Sequence, residues 1–293
     1  MLVVTSPNPG FVALGQKIGK DTLFDYINKF GFGKKTGIDL NGESTGILFN
    51  VDKVGPVELA TTSFGQGVSV TPIQQVVAVS AAINGGILYK PYIVKSLNEP
   101  ETNSVVKENT PTIVRKVISE DTSNKVRQAL ENVVSKGSGR NAYIEGYRVG
   151  GKTGTAQKVK NGVYMIGNYI TSFIGFMPAD DPQVVIYIAI DNAKGITQYG
   201  GTVAAPIARN VLLDIIDILK IERREGGIEK EYNYYDEKYA LVPSVIGMNI
   251  KDAISNLKQF KVEIEGVGDR IIYQAPKALT SIKEGETIRI LLN

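Results

Sequence analysis

The apolar positions between residues 8 and 136 recur at intervals of three and four, which is the spacing of helices that bury one face. The pattern predicts four helices with recognisable start and stop residues. They begin at Asn8, at Lys20 or Asp21, at Thr71 and at Ser119, and the last three end at Gly31, Asn84 and Gly137. The glycine-rich stretch over residues 32–50 predicts turns between the second and third helices.

From residue 169 onward the apolar pattern becomes that of β-strands. Tyr169–Phe176 and Val184–Ile190 are β-branched and aromatic runs, and the turn between them holds two prolines and two aspartates. This arrangement predicts a hairpin. Thr202–Leu219 predicts a long apolar helix that covers one face of the sheet, with Pro206 near its start, where a missing amide hydrogen is tolerated.

The composition changes at Glu222. Residues 222–239 are charged and rich in tyrosine, without an amphipathic period, so we interpret them as a linker. From Ala240 onward, one short helix capped by Asn249 and three strand-like runs predict a small α+β module. The expected organisation is therefore a large domain over residues 1–221, a linker over 222–239 and a small domain over 240–293.

The chain has no histidine and no cysteine, which excludes a Ser-His-Asp triad, a cysteine nucleophile and imidazole or thiolate metal sites. Hydrolytic or acyl-transfer chemistry must then rest on serine, threonine, lysine and carboxylates. The 33 Lys and Arg nearly balance the 30 Asp and Glu, so nothing favours nucleic acid or a polybasic membrane anchor. No apolar run approaches a membrane span, and the sequence predicts neither a signal peptide nor an anchor.

A Lys-Thr-Gly tripeptide occurs twice. Lys35-Thr36-Gly37 lies in the glycine-rich stretch with no strand after it, so we interpret it as a solvated turn. Lys152-Thr153-Gly154 follows two glycines, where the backbone must approach a neighbour closely, and it precedes the hairpin. Lys-Thr-Gly on a strand, together with Ser-x-Asn, belongs to the serine enzymes that use lysine in place of histidine. There, Gly154 would keep the site open, so that substrate lies along the strand.

Ser6-Pro7-Asn8 matches the Ser-x-Asn pattern, although Asn8 also suits the cap of a helix. The motif precedes Lys152-Thr153-Gly154 by a domain-sized interval, which is the order that the serine-lysine enzymes require. Those enzymes also need a Ser-x-x-Lys before the Ser-x-Asn, and none precedes Ser6 in this sequence. Two such patterns come later, at Ser104–Lys107 and Ser255–Lys258, and we interpret both as coincidences.

Five motifs together resemble the transpeptidase domain of class B penicillin-binding proteins. They are Ser6–Phe11, Phe30–Gly33, Phe64–Gln74, Lys152–Gln157 and Tyr199–Pro206. The tail from Val242 onward resembles a PASTA domain, and this combination is most similar to the stage V sporulation subgroup of the family. The resemblance implies an α+β fold: a truncated penicillin-binding-protein/β-lactamase-like transpeptidase domain, with an antiparallel sheet flanked by helices, followed by a small C-terminal α+β PASTA domain.

The resemblance also implies a serine acyl-enzyme reaction on the penultimate D-Ala of a peptidoglycan stem peptide. By the family pattern, Ser6 relays a proton towards the leaving group, Asn8 hydrogen-bonds the substrate amide, and Lys152 supplies positive potential. Thr153 and Thr155 bind the carboxylate of the peptide or of a β-lactam, and the Thr155 amide forms half of an oxyanion hole. No metal and no cofactor is implied. The nucleophile is expected to lie outside this chain, so the chain alone is expected to be inactive.

The expected partners are stem peptides, β-lactams and cell-division or sporulation proteins, with no nucleic acid. Membrane contact is expected only through an N-terminal anchor that this chain lacks, which would hold the full-length parent at the extracytoplasmic face of the cell membrane. Two alternatives stay open. One is a non-catalytic fragment that binds cell wall or partner proteins. The other is a serine β-lactamase or D,D-carboxypeptidase, against which the PASTA tail and the Phe64–Pro72 motif argue.

Overall fold

The computed structural model describes residues 2–231 and 238–293. The chain divides into two compact units, Met1–Tyr143 with Arg148–Lys230 and Ile144–Tyr147 with Glu231–Asn293. In the described part of the chain, no helix is long and apolar enough to cross a membrane.

The described residues form eight α-helices and twelve β-strands. The helices are α1 (Leu2–Thr5), α2 (Asn8–Ile18), α3 (Lys20–Lys29), α4 (Pro56–Ser63), α5 (Pro72–Ile83), α6 (Glu120–Lys136), α7 (Gly200–Leu219) and α8 (Ile250–Asn256). The strands are β1 (Ile87–Lys90), β2 (Ser96–Asn98), β3 (Val105–Glu108), β4 (Thr112–Lys116), β5 (Gly150–Lys160), β6 (Val163–Met177), β7 (Val184–Asp191), β8 (Tyr239–Leu241), β9 (Lys261–Gly266), β10 (Ile271–Ala275), β11 (Ser281–Lys283) and β12 (Thr287–Leu292).

The larger unit is built around a three-stranded antiparallel sheet in the order β5-β6-β7. β6 and β7 form the predicted hairpin, and β6 extends back to Val163, where it pairs with β5. Helices α6 and α7 pack against this sheet, and Phe173 and Phe176 of β6 are fully buried. β5 is an edge strand of the sheet, and it carries Lys152.

The boundaries of α5 and α6 follow the capping residues in the sequence. Thr71 and Gln74 form a capping box at the start of α5, in which each side chain accepts the other residue's amide hydrogen. Ser119 caps α6 and Gly137 ends it, as predicted. α7 begins two residues earlier than predicted, so Pro206 lies inside the helix and not in its first turn.

The smaller unit has five strands among its described residues, and the predicted count of three is wrong. The predicted three correspond to β9, β10 and β12, which form one sheet with β9 and β12 parallel. β8 and β11 pair with each other, and β8 begins at Tyr239, the last residue of the predicted linker. Asn249 caps α8 as predicted, and the helix packs Ala253 and Leu257 into a core with Ile288 and Ile290.

The chain stays attached to the larger unit for several residues after α7. Ile221 is buried, and the Arg224 guanidinium lies 3.5 Å from the Asp180 carboxylate and 3.8 Å from that of Asp181, both in the turn between β6 and β7. Residues 225–231 form no helix or strand. Residues 232–237 of the predicted linker lie outside the described residues.

We expect trypsin to cut after Lys230 or Lys238 well before it cuts after Arg223 or Arg224, because the ion pairs hold Arg224 against the larger unit. Mass spectrometry of the fragments measures the order of cleavage. In an Arg224→Ala variant, cleavage after Arg223 should become faster. Resistance over the whole of residues 222–239 would contradict the interpretation of this stretch as a linker.

Candidate active site

Lys152 is placed by two glycines that let β5 lie directly on the aromatic core. A Cβ atom on Gly150 would collide with the Phe176 ring, and one on Gly151 would collide with the Phe173 ring. Both glycines are buried. The close backbone approach predicted for this pair is therefore confirmed, and it fixes the strand from which the Lys152 side chain leaves.

The Lys152 ammonium joins the two sequence motifs. Its Nζ donates a hydrogen bond of 2.8 Å to the Ser6 hydroxyl, 146 residues away in the sequence. A second bond of 2.9 Å goes to the carbonyl oxygen of Thr153. A lysine ammonium has three hydrogens, so one is left for another acceptor.

Lys152 is electrostatically unusual. Among the described residues, no carboxylate lies within ion-pairing distance of its ammonium, whereas Lys158 on the same strand pairs with Asp191 at 2.6 Å. Burial lowers the pKa of Lys152 below its ordinary value of 10.5, because the charged form loses solvation. A desolvated cation without a counter-ion attracts an anionic ligand. It also loses its proton at a lower pH than a surface lysine does.

Ser6 is held in a backbone conformation that serine rarely adopts. Its φ angle is +54°, in the left-handed region, and it directly precedes Pro7, which restricts its conformation further. α1 ends there, with the Ser6 amide donating to the Leu2 carbonyl at 2.9 Å. Strain of this kind persists where the surroundings over-determine a residue, which is common in active sites. Here it aims the hydroxyl at Lys152.

We expect Ser6→Gly to be more stable than Ser6→Ala by about 1 kcal/mol, although glycine usually lowers stability relative to alanine. Both variants lose the hydroxyl, so the difference between them measures the cost of the left-handed backbone minus the extra unfolded-state entropy of glycine. Denaturant unfolding of the two variants gives that difference. An alanine variant more stable than the glycine variant would show that the backbone at Ser6 is not strained.

The two threonines of the second motif have different partners. The Thr153 hydroxyl lies 2.7 Å from that of Ser138, and the Thr155 hydroxyl accepts the Gly200 amide hydrogen at 3.1 Å. Because Thr155 accepts there, its own hydrogen is free to be donated. Gly154 has a packing role that the sequence does not indicate, since a Cβ atom there would collide with the Ser172 hydroxyl on β6.

Asn8 is exposed and near Ser6 in the chain, but its predicted role as a helix cap is wrong. Pro7 occupies the N-cap position of α2, Asn8 is the first helical residue, and no side-chain capping bond forms. No hydrogen bond links the Asn8 side chain to Ser6, Lys152 or Thr155 in the described structure. The structure thus brings Ser6 and Lys152 into direct contact and leaves Asn8 facing solvent.

Sequence reasoning missed Ser138 and did not explain Gly200 and Gly201. A Cβ atom on Gly200 would collide with backbone oxygens of Ser172 and Gly154, and one on Gly201 would collide with the Ser138 carbonyl. The two glycines therefore let the start of α7 pack against β5, which gives Thr155 its partner. A pair of glycines at a helix start is a signal of such an approach.

The first Lys-Thr-Gly is an irregular segment held by a carboxylate. Glu43 accepts hydrogen bonds of 2.6 Å from both the amide and the hydroxyl of Thr36, and one of 3.0 Å from the Gly37 amide. Residues 35–37 form no helix or strand. This copy therefore lies in irregular chain and not on a strand, and its threonine hydroxyl is already engaged.

Comparison with known proteins gives the family. Residues 2–213 match the penicillin-binding protein transpeptidase domain, and residues 241–293 match the PASTA domain. The chain belongs to the penicillin-binding protein transpeptidase family and carries a PASTA domain. The α+β transpeptidase fold and the PASTA module expected from the motifs are confirmed.

Individual relatives support the same conclusion. Stage V sporulation protein D from Bacillus subtilis is 57% identical over 291 residues, which cover 99% of this chain and 45% of that protein. Penicillin-binding protein PbpB from Mycobacterium tuberculosis is 36% identical over 216 residues, or 70% of this chain and 32% of that protein. The crystal structure of penicillin-binding protein 3 from M. tuberculosis complexed with ampicillin matches with a TM-score of 0.70 and 31% identity, covering 79% of this chain and 54% of that one. This chain thus spans less than half the length of both curated relatives.

Proposed function

We propose that the larger unit carries the Ser-x-Asn and Lys-Thr-Gly part of a peptidoglycan D,D-transpeptidase that works through a serine acyl-enzyme. The observation that carries the proposal is the 2.8 Å hydrogen bond between Ser6 and Lys152. Ser6 and Lys152 are 146 residues apart in the sequence, so only the folded chain brings the hydroxyl and the ammonium into contact. The β-lactam bound to the M. tuberculosis neighbour supports the same ligand class here.

Ser6 passes a proton towards the leaving group, and Lys152 orients its hydroxyl and supplies positive potential. The burial of Lys152 suits both tasks, because a desolvated amine attracts anions and exchanges protons nearer to neutral pH. The exposed Asn8 side chain, which makes no hydrogen bond in the described structure, is available to the substrate amide. Thr155 has a free hydroxyl hydrogen for a carboxylate, with Thr153 and Gly154 on the same strand.

The nucleophile of this reaction is a serine in a Ser-x-x-Lys, and no such pattern precedes Ser6 in this chain. We therefore propose that the 293 residues alone form no acyl-enzyme. The proposed organisation remains a transpeptidase portion over 1–221, a linker over 222–239 and a PASTA domain over 240–293. The parent protein would act on stem peptides at the extracytoplasmic face of the membrane, with cell-division or sporulation proteins as partners.

A chimera tests the function directly. The part of the B. subtilis relative outside the matched region is joined, in its natural order, to this chain, and the product is incubated with fluorescent penicillin. We expect one label per molecule that survives denaturing electrophoresis, as for the B. subtilis protein itself, and no label on the 293-residue chain. A chimera that melts cooperatively but takes no label would contradict the function. A label on the chain alone would reveal another nucleophile within it.

A further inference from the structure

The first part of β6 loses its neighbouring strands over a few residues. β6 pairs with β5 up to Tyr164 and again from Tyr169, and residues 165–168 between them have no paired residue on β5 in the described structure. On its other side, β6 pairs with β7 only from Ile170 onward. This stretch must therefore be held by something other than a strand.

Gln198 holds this stretch from the segment that leads into α7. Residues 192–199 form no helix or strand, and the Gln198 side chain is partly buried. Its Oε1 accepts the Tyr169 amide hydrogen at 3.1 Å, and its Nε2 donates to the Gly167 carbonyl at 3.0 Å. One side-chain amide thus gives β6 both the acceptor and the donor that a neighbouring strand would give.

The same segment contacts the Lys-Thr-Gly strand two residues later. The Gly200 amide donates to the Thr155 hydroxyl at 3.1 Å, and Gly200 packs closely against the backbone of β5 and β6. Because one residue separates Gln198 from Gly200, a shift of the Gln198 backbone moves the Gly200 amide. Without that donor, the Thr155 hydroxyl can rotate, and its hydrogen no longer has a fixed direction.

We propose that Gln198 is a positioning residue of this site. By bonding Gly167 and Tyr169, its side-chain amide fixes the segment that carries the Gly200 amide, and with it the direction of the Thr155 hydroxyl. The inference rests on the proposed function, in which Thr155 binds the carboxylate of the ligand. Gln198 acts through Gly200 and not by contact with the ligand, so its removal weakens binding and leaves the reacting groups in place.

Labelling of the chimera with fluorescent penicillin measures this role. The dependence of the labelling rate on penicillin concentration separates the dissociation constant of the noncovalent complex from the acylation rate constant. We expect Gln198→Ala to raise the dissociation constant about tenfold and to change the acylation rate constant less than about threefold, because the carboxylate is held both before and during the reaction. Gln183→Ala makes the same chemical change on an exposed residue of the turn between β6 and β7 and should behave as the parent chimera.

Hydrogen exchange tests the physical link without any ligand. In the 293-residue chain, followed by NMR, Gln198→Ala should speed exchange of both the Tyr169 amide, which loses its acceptor, and the Gly200 amide. Faster exchange at Tyr169 with unchanged exchange at Gly200 would show that the contact is structural only, and would overturn the inference.

A double-mutant cycle in the chimera tests the route through Thr155. In a Thr155→Val background, Gln198→Ala should raise the dissociation constant by less than about a further twofold, because the hydroxyl that Gln198 positions is already gone. Independent losses in the two variants, or a parental dissociation constant in Gln198→Ala, would overturn the inference and leave the proposed function standing. A parent chimera that takes no label would overturn the proposed function, and the role of Gln198 with it.

Discussion

Glu131→Ala is expected to lower the free energy of unfolding of the larger unit by about 3 kcal/mol, which corresponds to a fall in Tm of about 6–12 °C. The Glu131 side chain is only 4% exposed, and both of its oxygens accept hydrogen bonds from Arg148, at 2.9 and 2.8 Å. Removing the carboxylate leaves a partly buried guanidinium, whose remaining carboxylate partner among the described residues is the more distant Asp180, at 3.7 Å. Arg148 lies two residues before Gly150, so the pair ties α6 to the strand that carries Lys152.

The same helix provides a matched control. Lys125 pairs with Asp121 at 2.7 Å, but their side chains are 72% and 73% exposed. Lys125→Ala breaks this ion pair of α6 in open solvent, and we expect it to cost less than about 0.5 kcal/mol. Calorimetry of both variants compares a buried pair with an exposed one on one helix. Equal losses would show that burial does not determine the contribution of Glu131.

The sequence predicts those elements whose signals are local. α5 and α6 are recovered with their caps because Thr71 and Ser119 bond to amides three residues away, so the cause of the boundary lies within one turn. The β6–β7 hairpin is recovered because its two strands adjoin a proline-rich turn. In each case the residues that decide the structure are neighbours in the chain.

Elements that depend on distant partners are not predicted. β8 and β11 have three residues each, too few for a period, and they pair across about forty residues of chain. β1 pairs with β4 and β2 with β3, in a part of the chain where the sequence pattern predicts no strand. Short strands gain their stability from the partner, which the local sequence does not contain.

The candidate site follows the same rule. Ser6 and Lys152 are recognisable because their neighbours form motifs, whereas Ser138 becomes visible only when the fold brings α1, β5 and α7 together. The left-handed backbone of Ser6 is likewise invisible in the sequence, since Pro7 favours an extended residue before it. In the structure Ser6 instead has a left-handed backbone. This conformation brings its hydroxyl within hydrogen-bonding distance of the Lys152 ammonium.

Lys152→Met is expected to slow penicillin labelling of the chimera by about 10²–10³-fold while changing the Tm by less than about 2 °C. Methionine fills a similar volume without a charge, so the packing of β5 survives. Ser6 loses the donor that orients its hydroxyl, and the ligand loses its attracting charge. Lys160→Met makes the same chemical change on an exposed residue of β5 and should label at the parent rate. Equal labelling rates in Lys152→Met and Lys160→Met would show that Lys152 takes no part in the reaction.

The difference in stability between the 293-residue chain and its Lys152→Met variant should depend on pH in a defined direction. Because burial lowers the pKa of Lys152 in the folded state, the unfolded chain holds that proton more tightly. The cost of burying the ammonium is therefore fully present below the folded-state pKa, and it declines as the pH rises towards 10.5. In denaturant unfolding between neutral pH and about pH 10, the parent chain should gain stability relative to Lys152→Met. A difference that stays constant, or that grows in favour of methionine, would show that the Lys152 pKa is not lowered.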